Sequence, residues 1–576
     1  MAPPPTDTVT QQFPALAAQP IEKVAVDTIR TLCMDAVQAA NSGHPGTPMA
    51  LAPVMYTVWQ RFLRFDPDHP IWSNRDRFVL SAGHASTLLY AVLHLAGVKS
   101  VNPQYEILGE LSVPLEDLKK FRQLDSKCPG HPEYRWTAGV ECTTGPLGTG
   151  IATSVGMAIA GLWQAATFNK PGYTLFDYDV YAICGDGCLM EGISAEAASL
   201  AGHLKLSNLC WIYDSNQIVV RRAVLTIEGS TELAFTEDVA KRFEGYGWAV
   251  QQVDDANDLE ALTEALEAFK AETEKPTMVI VKSVIAWGAP TKQGHHSAHG
   301  EPLGAEEIAG AKRFYGWPEN ESFVVPEAVR EHFAEVGGKR GAEARQAWVE
   351  LFAGYGKEYP ELAQQLDNMQ RRQLPEGWDV DLPTFPVDAK GIADADEVVG
   401  AIIAHKAVRR VNFTGSTRVG RIIAVKSAHA LKPCLLELGG KAPLVVLDDA
   451  DIDGAVNAAV FGSFLYQGQI CMSTERFVVD ESVADEFVER FAGRAATLAV
   501  GDPATDPSCV VGPMVTADNG PRLNDMIDDA VSKGAKVVVG GHADGAAMPA
   551  TIVDRVTPDM DIYDTETFGP ITTVVR

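Results

Sequence analysis

Apolar positions in the first part of the chain predict helices that alternate with buried strands. From Ile21 onward apolar residues recur mostly at three- and four-residue steps, which indicates a helix that ends at Asn41-Ser42-Gly43. Farther along, short apolar runs at 180–184, 209–213 and 278–281 are separated by helical patterns. This alternation is typical of a doubly wound α/β domain with a parallel sheet.

The hydrophobic pattern changes twice beyond this domain. One segment is charged, mostly helical and punctuated by proline, which is typical of a connector. Strand and helix patterns then resume, and the chain stops directly after a β-prone run. We therefore expect a disordered arm over residues 1–20, an α/β domain over 21–316, a helical connector over 317–393, and a second, incomplete α/β segment over 394–576.

Composition narrows the possible partners and the compartment. The 576 residues carry 48 Lys and Arg against 76 Asp and Glu, a formal net charge of −28. This charge repels phosphate backbones and anionic lipids, so we expect neither a nucleic-acid partner nor a membrane partner. No stretch approaches twenty uninterrupted apolar residues, and nine scattered cysteines indicate reduced thiols. Together these features favour a cytoplasmic protein.

Polar residues follow two neighbouring predicted strands at the points where they end. The strand at 180–184 runs into Gly185-Asp186-Gly187, and the next strand ends near Asn216. Because the carboxyl ends of parallel strands share one edge of a sheet, the Asp186 carboxylate and the Asn216 amide should converge there. Hard oxygen ligands suit Mg²⁺ or Ca²⁺, and the glycines let a phosphate approach the backbone. The spacing therefore predicts a site for a metal and a diphosphate.

This spacing and the motifs around it resemble the thiamine diphosphate signature of transketolases. The matching runs follow the family's order and lie at 41–46, 81–86, 128–133, 145–148, 185–192 and 296–300. The resemblance covers about residues 20–390. It implies thiamine diphosphate and Mg²⁺ as cofactors, and a family that transfers two-carbon ketol units between sugar phosphates. It also implies a homodimer in which Glu191 is buried at the subunit contact.

The resemblance implies a role for each matching residue of the metal and diphosphate site. Asp186, Asn216 and the main-chain carbonyl of Ile218 match the family's metal ligands. His84 and Gly187 match its diphosphate contacts. These five residues would hold the charged end of the cofactor.

Other matching residues surround the cofactor's rings and the substrate. Gly145 and Leu147 match the loop that packs against the rings. His44, His131 and His296 match residues that line the substrate channel and exchange protons with the sugar's hydroxyl groups. That task suits histidine, whose ordinary pKa is close to neutrality.

Two departures from the family pattern bear on activity. Residues 219–225 form an insertion next to the implied metal segment, which puts the geometry of the metal site in question. The resemblance also breaks off near residue 391, before the pyrimidine-binding domain with which transketolases continue. That domain supplies the glutamate that activates the cofactor, so we expect ketol transfer by this chain to be impaired.

From about residue 394 the sequence resembles aldehyde dehydrogenases instead. Glu437 matches the family's general base and Cys471 its nucleophile, at the family's interval. The implied reaction is the NAD(P)-dependent oxidation of an aldehyde, in which a thiolate attacks and a carboxylate then activates water.

The same resemblance implies a partial dinucleotide site. Gly415 and Ser416 lie in a run that looks like the family's turn for the dinucleotide phosphates. Glu566 and Phe568 match the segment that holds the nicotinamide ribose. Most of the family's dinucleotide domain precedes these runs, and transketolase-like sequence occupies that place here.

Three functions stay open at this point. The first is a transketolase-like protein that binds thiamine diphosphate and Mg²⁺, with impaired ketol transfer between the sugar phosphates of the pentose phosphate pathway. The second is an aldehyde dehydrogenase that uses Cys471 and Glu437. The third is a fusion of two partial enzymes that does not catalyse either reaction.

Overall fold

The computed structural model describes residues 14–216, 235–374, 377, 395–506 and 508–576. The chain divides into two units, Met1–Val380 and Asp381–Arg576, each with its own sheets and cores. Both are mixed α/β folds with parallel sheets, which confirms the predicted fold class.

The first unit is built around a parallel sheet. Its strands are β1 (Arg77–Leu80), β2 (Lys99–Val101), β3 (Ile107–Leu111), β4 (Val180–Gly185), β5 (Leu209–Ser215), β6 (Ala249–Val253) and β7 (Thr277–Lys282). β1, β4, β5, β7 and β6 pair in that order, and β2 and β3 form a separate antiparallel pair. The three strands predicted from apolar runs are confirmed as β4, β5 and β7.

Helices pack on both faces of this sheet. They are α1 (Pro14–Ala17), α2 (Ile21–Ala40), α3 (Gly46–Thr57), α4 (Ser86–Leu95), α5 (Leu115–Lys119), α6 (Thr149–Phe168), α7 (Asp186–Met190), α8 (Gly192–His203), α9 (Val239–Gly245), α10 (Leu259–Ala271), α11 (Ala305–Tyr315), α12 (Glu327–Phe333), α13 (Lys339–Glu358) and α14 (Pro360–Gln370). Short π-helical turns at Val58–Phe62 and Ala334–Gly338 extend α3 and α12.

Successive residues of the central strands enter two different cores. Tyr181 and Ile183 of β4 join the core on one face, whereas Ala182 and Cys184 join the core on the other. Because side chains alternate along a strand, a strand that is covered on both faces needs apolar residues at every position. This is the physical reason for the continuous apolar run that predicted β4.

Helix ends follow the local sequence with one difference. α2 ends where predicted, because Asn41 adopts the left-handed conformation (φ 47°) and closes the last turn. The helical pattern expected from about Met190 to Leu206 forms α8, and the difference is a separate short helix, α7, that precedes it. Glu191 between them is extended (φ −71°, ψ 134°), so the chain bends at the edge of the sheet.

The predicted arm and connector are partly integrated into the first unit. Residues 1–13 of the arm lie outside the described part, but Pro14–Ala17 form α1 and Leu16 is buried in the core. Within the segment predicted as a connector, Phe333 and Trp348 belong to the two cores of this unit. Their apolar side chains are buried in these cores, and the charge and proline content of the segment does not predict that burial.

The second unit carries a five-stranded sheet and a separate parallel pair. Its strands and helices are α15 (Ala395–Ala404), β8 (Val411–Gly415), α16 (Thr417–His429), β9 (Cys434–Leu438), β10 (Ala442–Val446), α17 (Ile452–Phe464), β11 (Thr474–Val479), α18 (Glu481–Ala495), α19 (Asn519–Ser532), β12 (Lys536–Val539), β13 (Thr551–Asp554) and β14 (Ile571–Val575). The sheet order is β10-β11-β14-β13-β12, in which β12 alone runs antiparallel to its neighbour, and β8 pairs with β9.

One helix of the first unit has the length and composition of a membrane span. This helix is α6, and about a third of its apolar stretch is buried within the unit. It packs against α8 and β4, and its outward face exposes Ile159, Leu162 and Trp163.

Candidate active site

The carboxyl ends of β4 and β5 meet at one edge of the first unit's sheet. Gly185 lies opposite Asp214 in the parallel register, so the turn at Asp186 lies beside the end of β5. A cavity of about 690 Å³ opens at this edge. Its lining consists of His44, Thr47, Ala82, His84, His131, Gly145, Leu147, Gly185, Asp186, Gly187, Cys188, Met190, Glu191, Asp214, Asn216 and His299. The structure thus brings Asp186 and Asn216 together, as their spacing predicts.

Two buried carboxylates lie in the wall of this cavity. The Tyr213 hydroxyl donates a hydrogen bond to Asp186. Asp214 accepts hydrogen bonds from Ser283 Oγ at 2.5 Å and from Asn216 Nδ2 at 3.3 Å. Burial raises the pKa of Asp186 to about 6 and the pKa of Asp214 to about 7. Within the described residues neither carboxylate has a cationic partner to offset that burial.

The oxygen atoms at this edge fit a divalent cation. A carboxylate and an amide oxygen are hard ligands, and Mg²⁺ commonly completes such a set with phosphate oxygens and water. In the part of the chain that the structure describes, no three His, Cys, Asp or Glu side chains are grouped as a complete metal site. A cation held by Asp186 and Asn216 would need further ligands to complete its coordination. Ile218 and the insertion 219–225 lie outside the described residues.

Three histidine rings pack together in the lining of this cavity and form what we call the histidine wall. The ring centroids of His44 and His84 are 5.1 Å apart, those of His44 and His299 are 5.5 Å apart, and those of His84 and His299 are 4.9 Å apart. Burial, together with the neighbouring charges, lowers the pKa of His44 to about 3 and the pKa of His84 well below its usual value. His84 Nε2 is buried without a hydrogen-bond partner, so this wall offers a neutral donor or acceptor to a ligand.

Two loops approach each other closely across the cavity. A Cβ atom on Gly187 would lie 2.9 Å from Leu147 Cδ1, so only glycine fits there without a shift of Leu147. A Cβ atom on Gly145 would lie 3.5 Å from the His131 ring. The predicted contacts Gly145, Leu147, Gly187 and His131 are thus neighbours in the fold, and burial lowers the pKa of His131.

Of the two histidines in the run 296–300, the structure places His299 in the cavity. The His296 ring instead packs against His295, with centroids 4.2 Å apart. A Cβ atom on Gly300 would lie 3.5 Å from His44 Nε2, which shows how closely this run approaches the histidine wall. The motif contains both histidines, and nothing in the sequence alone distinguishes them.

Glu191 lies at the mouth of the cavity beside an apolar surface. It is exposed in this single chain, next to the exposed side chains of Met190 and Ile193. The outer faces of α6 and α8 continue this surface with further exposed apolar residues: Ile159, Leu162, Trp163, Leu200 and Leu204. We call this set of residues on α6 and α8 the α6–α8 face.

In the second unit the predicted nucleophile and base are both accessible. Glu437 is an exposed residue of β9, and Cys471 is exposed in the turn that precedes β11. That turn is bent, since Tyr466 (φ 47°) and Gln467 (φ 59°) are both left-handed. All nine cysteines of the chain are free thiols, as expected.

The predicted dinucleotide contacts of the second unit lie in two places. Gly415 ends β8, and Ser416 Oγ caps α16 by accepting from Val419 N at 3.4 Å. The Glu566 carboxylate lies against the backbone of Gly439, where a Cβ atom would overlap it.

A buried ion pair fixes the segment that follows Glu566. Lys441 Nζ lies 3.0 Å from Glu475 Oε2, and both side chains are almost fully buried. The Glu475 carboxylate also accepts from Thr567 N at 2.7 Å and from Phe568 N at 2.9 Å. Charge-assisted hydrogen bonds of this kind hold Phe568 in its left-handed conformation (φ 46°).

Comparison with known proteins agrees with this division of the chain. Residues 21–375 match the family model described as the thiamine diphosphate-binding domain of transketolase, and residues 391–576 match the aldehyde dehydrogenase family. The transketolase of Geobacillus stearothermophilus is 47% identical over 402 residues, which are 69% of this chain and 57% of the relative. Transketolase 1 of Saccharomyces cerevisiae is 47% identical over 374 residues, 65% of this chain and 52% of the relative.

Solved structures show the same similarity. The transketolase from Leishmania mexicana superposes with a TM-score of 0.59 at 34% identity, covering 83% of this chain and 67% of that one. The chain spans about half the length of the curated relatives it matches. Through the domain that carries this cavity the chain belongs to the transketolase family, and a segment of the aldehyde dehydrogenase family follows that domain in the same polypeptide.

Proposed function

We propose that the first unit binds thiamine diphosphate and a divalent cation in the cavity at the ends of β4 and β5, as part of a ketol-transfer site for sugar phosphates. The observation that carries this proposal is the juxtaposition of the buried Asp186 carboxylate and the Asn216 amide with the unpartnered His84 Nε2. A cation bound to a diphosphate would satisfy all three groups.

Each residue of the cavity has a part in holding the cofactor. Asp186 and Asn216 would give oxygen ligands to Mg²⁺, and the Ile218 carbonyl stays a predicted third ligand. His84 and Gly187 would contact the diphosphate, because the glycine leaves the backbone open to it. Leu147, which touches Gly187 in the fold, would pack against the rings.

Thiamine diphosphate, when bound, supplies a carbanion that accepts and releases a two-carbon unit. The chain's own part is to bind and orient the sugar and to move protons at its hydroxyl groups. Burial lowers the pKa of His44, His131 and His299, so each neutral imidazole can offer one donor and one acceptor nitrogen to the sugar's hydroxyl groups. His296 stays a prediction for the same channel.

We further propose that two copies of the chain associate through the α6–α8 face. Exposed apolar residues at the cavity mouth are costly in water, and a partner would cover them together with Glu191. The transketolase match ends at residue 375 and the aldehyde dehydrogenase match begins at 391, so we infer that this chain does not itself supply the glutamate that activates the cofactor in transketolases. We therefore expect cofactor binding with weak ketol transfer.

Calorimetric titration of the full chain with thiamine diphosphate and Mg²⁺ tests the proposal. We expect saturable binding that falls at least tenfold in Asp186→Ala. Asp254→Ala is the matched control, because Asp254 follows β6 at the same sheet edge but is exposed and pairs with Lys282. Equal binding by wild type and Asp186→Ala, or no binding by either, would refute the metal-site assignment.

The second unit supports a second candidate function. An accessible Cys471 thiol near a bent turn favours attack on an aldehyde or ester, and Gly415, Ser416, Glu566 and Phe568 are the proposed contacts for NAD(P). Aldehyde-dependent NADH formation that disappears in Cys471→Ser would establish the dehydrogenase. Thiol-dependent ester hydrolysis without NADH would instead show residual chemistry only, and inactivity of both units would favour a non-catalytic fusion.

A further inference from the structure

The helix that carries Asp186 is short and has few hydrogen bonds of its own. α7 spans only Asp186–Met190, and the chain leaves it through the extended residue Glu191. A helix of this length leaves its last carbonyl groups without partners inside the helix, so groups outside it must donate hydrogen bonds to them. The carbonyl oxygen of Leu189 shows which groups do so.

Leu189 O accepts hydrogen bonds from two directions. Ser194 Oγ of α8 donates to it at 3.1 Å. From the other side, Arg242 Nη1 and Nη2 both donate to it, each at 3.4 Å. A cation at the carboxyl end of a helix also interacts favourably with the helix dipole.

The same guanidinium group also contacts the chain at Phe235 and Glu237. Arg242 Nη1 lies 2.5 Å from Glu237 Oε1, and the guanidinium carbon lies 5.7 Å from the centre of the Phe235 ring. Phe235 and Glu237 are the first described residues after the gap that follows Asn216. Arg242 therefore joins the end of α7 to the chain at Phe235 and Glu237.

Arg242 is also seated on the core beneath β5. Its guanidinium carbon lies 5.2 Å from the centre of the Phe243 ring, which packs edge-on against Trp211 of β5 with centroids 5.8 Å apart. The side chain is 18% exposed. The guanidinium group thus contacts α7 directly and β5 through Phe243, and its planar fork bonds the Leu189 carbonyl and the Glu237 carboxylate at the same time.

We propose that Arg242 is a positioning residue that clamps the Asp186 helix against the chain at Phe235 and Glu237 and so keeps the Asp186 carboxylate in place beside Asn216. The inference rests on the proposed function only for its effect on cofactor binding. The clamp itself concerns the cofactor-free protein and can be measured there.

Hydrogen–deuterium exchange of the full chain without cofactor tests the clamp. We expect Arg242→Met, which keeps the apolar stem, to speed exchange in the peptide that covers α7 by about tenfold relative to wild type. Arg242→Lys keeps the charge but offers a single nitrogen, so we expect an intermediate effect. Arg313→Met is the matched control, because Arg313 is an exposed helical residue with one partner, Glu319. Exchange in α7 that is equal in wild type and Arg242→Met would overturn the clamp.

Titration with thiamine diphosphate and Mg²⁺ then tests the consequence. Residues that orient metal ligands typically change affinity by 10- to 100-fold, so we expect a dissociation constant at least tenfold higher in Arg242→Met and unchanged in Arg313→Met. An unchanged dissociation constant in Arg242→Met would overturn the positioning role. If wild type binds no cofactor, the proposed function fails, whereas the exchange experiment still decides the clamp.

Discussion

A buried ion pair joins α2 and α11, the helices next to the runs that carry His44 and His299. Lys312 Nζ of α11 lies 2.7 Å from Asp35 Oδ1 of α2, and the side chains are only 1% and 2% exposed. Lys312 also donates to Glu321 O at 2.6 Å, and Phe323 N donates to Asp35 Oδ2 at 2.8 Å. α2 precedes the run with His44, and α11 follows the run with His299. The ion pair therefore joins two helices that adjoin cavity-lining runs.

Lys312→Met should destabilise the first unit substantially. The substitution keeps an apolar stem but leaves the Asp35 carboxylate buried without its cation, a change that costs about 3–5 kcal/mol. Burial already raises the pKa of Asp35 above its ordinary value, and the loss of Lys312 raises it further. Because the raised pKa belongs to the folded state, the loss is full above that pKa. It shrinks as the pH falls toward about 3.9, the value in the unfolded chain.

Tryptophan fluorescence during urea unfolding measures this loss. All ten tryptophans lie within residues 1–380, so the signal reports the first unit alone. We expect the double variant Lys312→Met/Asp35→Asn to recover part of the stability lost in Lys312→Met, because it removes the stranded charge and keeps the acceptor for Phe323 N. A loss below about 1 kcal/mol in Lys312→Met, or a double variant that is less stable than Lys312→Met, would refute the reasoning.

Three further predictions concern other parts of the first unit. Burial beside Arg330 lowers the pKa of His94 to about 4, so stability should fall by about 3 kcal/mol as the pH drops from about 6.5 to 4. Unfolding midpoints across that range should show a shallower dependence in His94→Gln. Leu162→Glu should weaken self-association through the α6–α8 face, measured by sedimentation velocity. An unchanged molecular mass of the sedimenting species in Leu162→Glu relative to wild type would contradict the proposed dimer. Gly202→Ala would place a Cβ atom against Tyr246 O, where the overlap should lower stability by about 1–3 kcal/mol in urea unfolding.

Periodicity predicted the central elements of both units because their burial is recorded in the sequence. β4 and β5 begin where their apolar runs begin and extend one and two residues beyond them, and β14 forms the β-prone run at the end of the given sequence. The short helix α7 was not predicted, because no proline or glycine pair marks the bend at Glu191 that separates it from α8. Extended geometry at a single residue has no compositional signal, and the packing of α8 determines it.

The sequence pattern predicts some residues of the site and not others. Asp186 and Asn216 follow directly from strand ends, since parallel register forces them to one edge. Asp214, two residues before Asn216, was not predicted as a site residue. A single carboxylate at the end of an apolar strand forms no motif that would single it out. Arg242 carries no motif at all, and its importance depends on contacts across 53 residues of chain.

The sequence by itself determined the α/β class, the order of the two families along the chain and the chemical types gathered at the sheet edge. Those properties depend on local periodicity and on motifs that are contiguous in the chain. Only the tertiary structure decided that His299 lines the cavity beside His44 and His84, and that Arg242 reaches the Asp186 helix. Both depend on distances between segments that are far apart in sequence, and such distances are fixed when the cores pack.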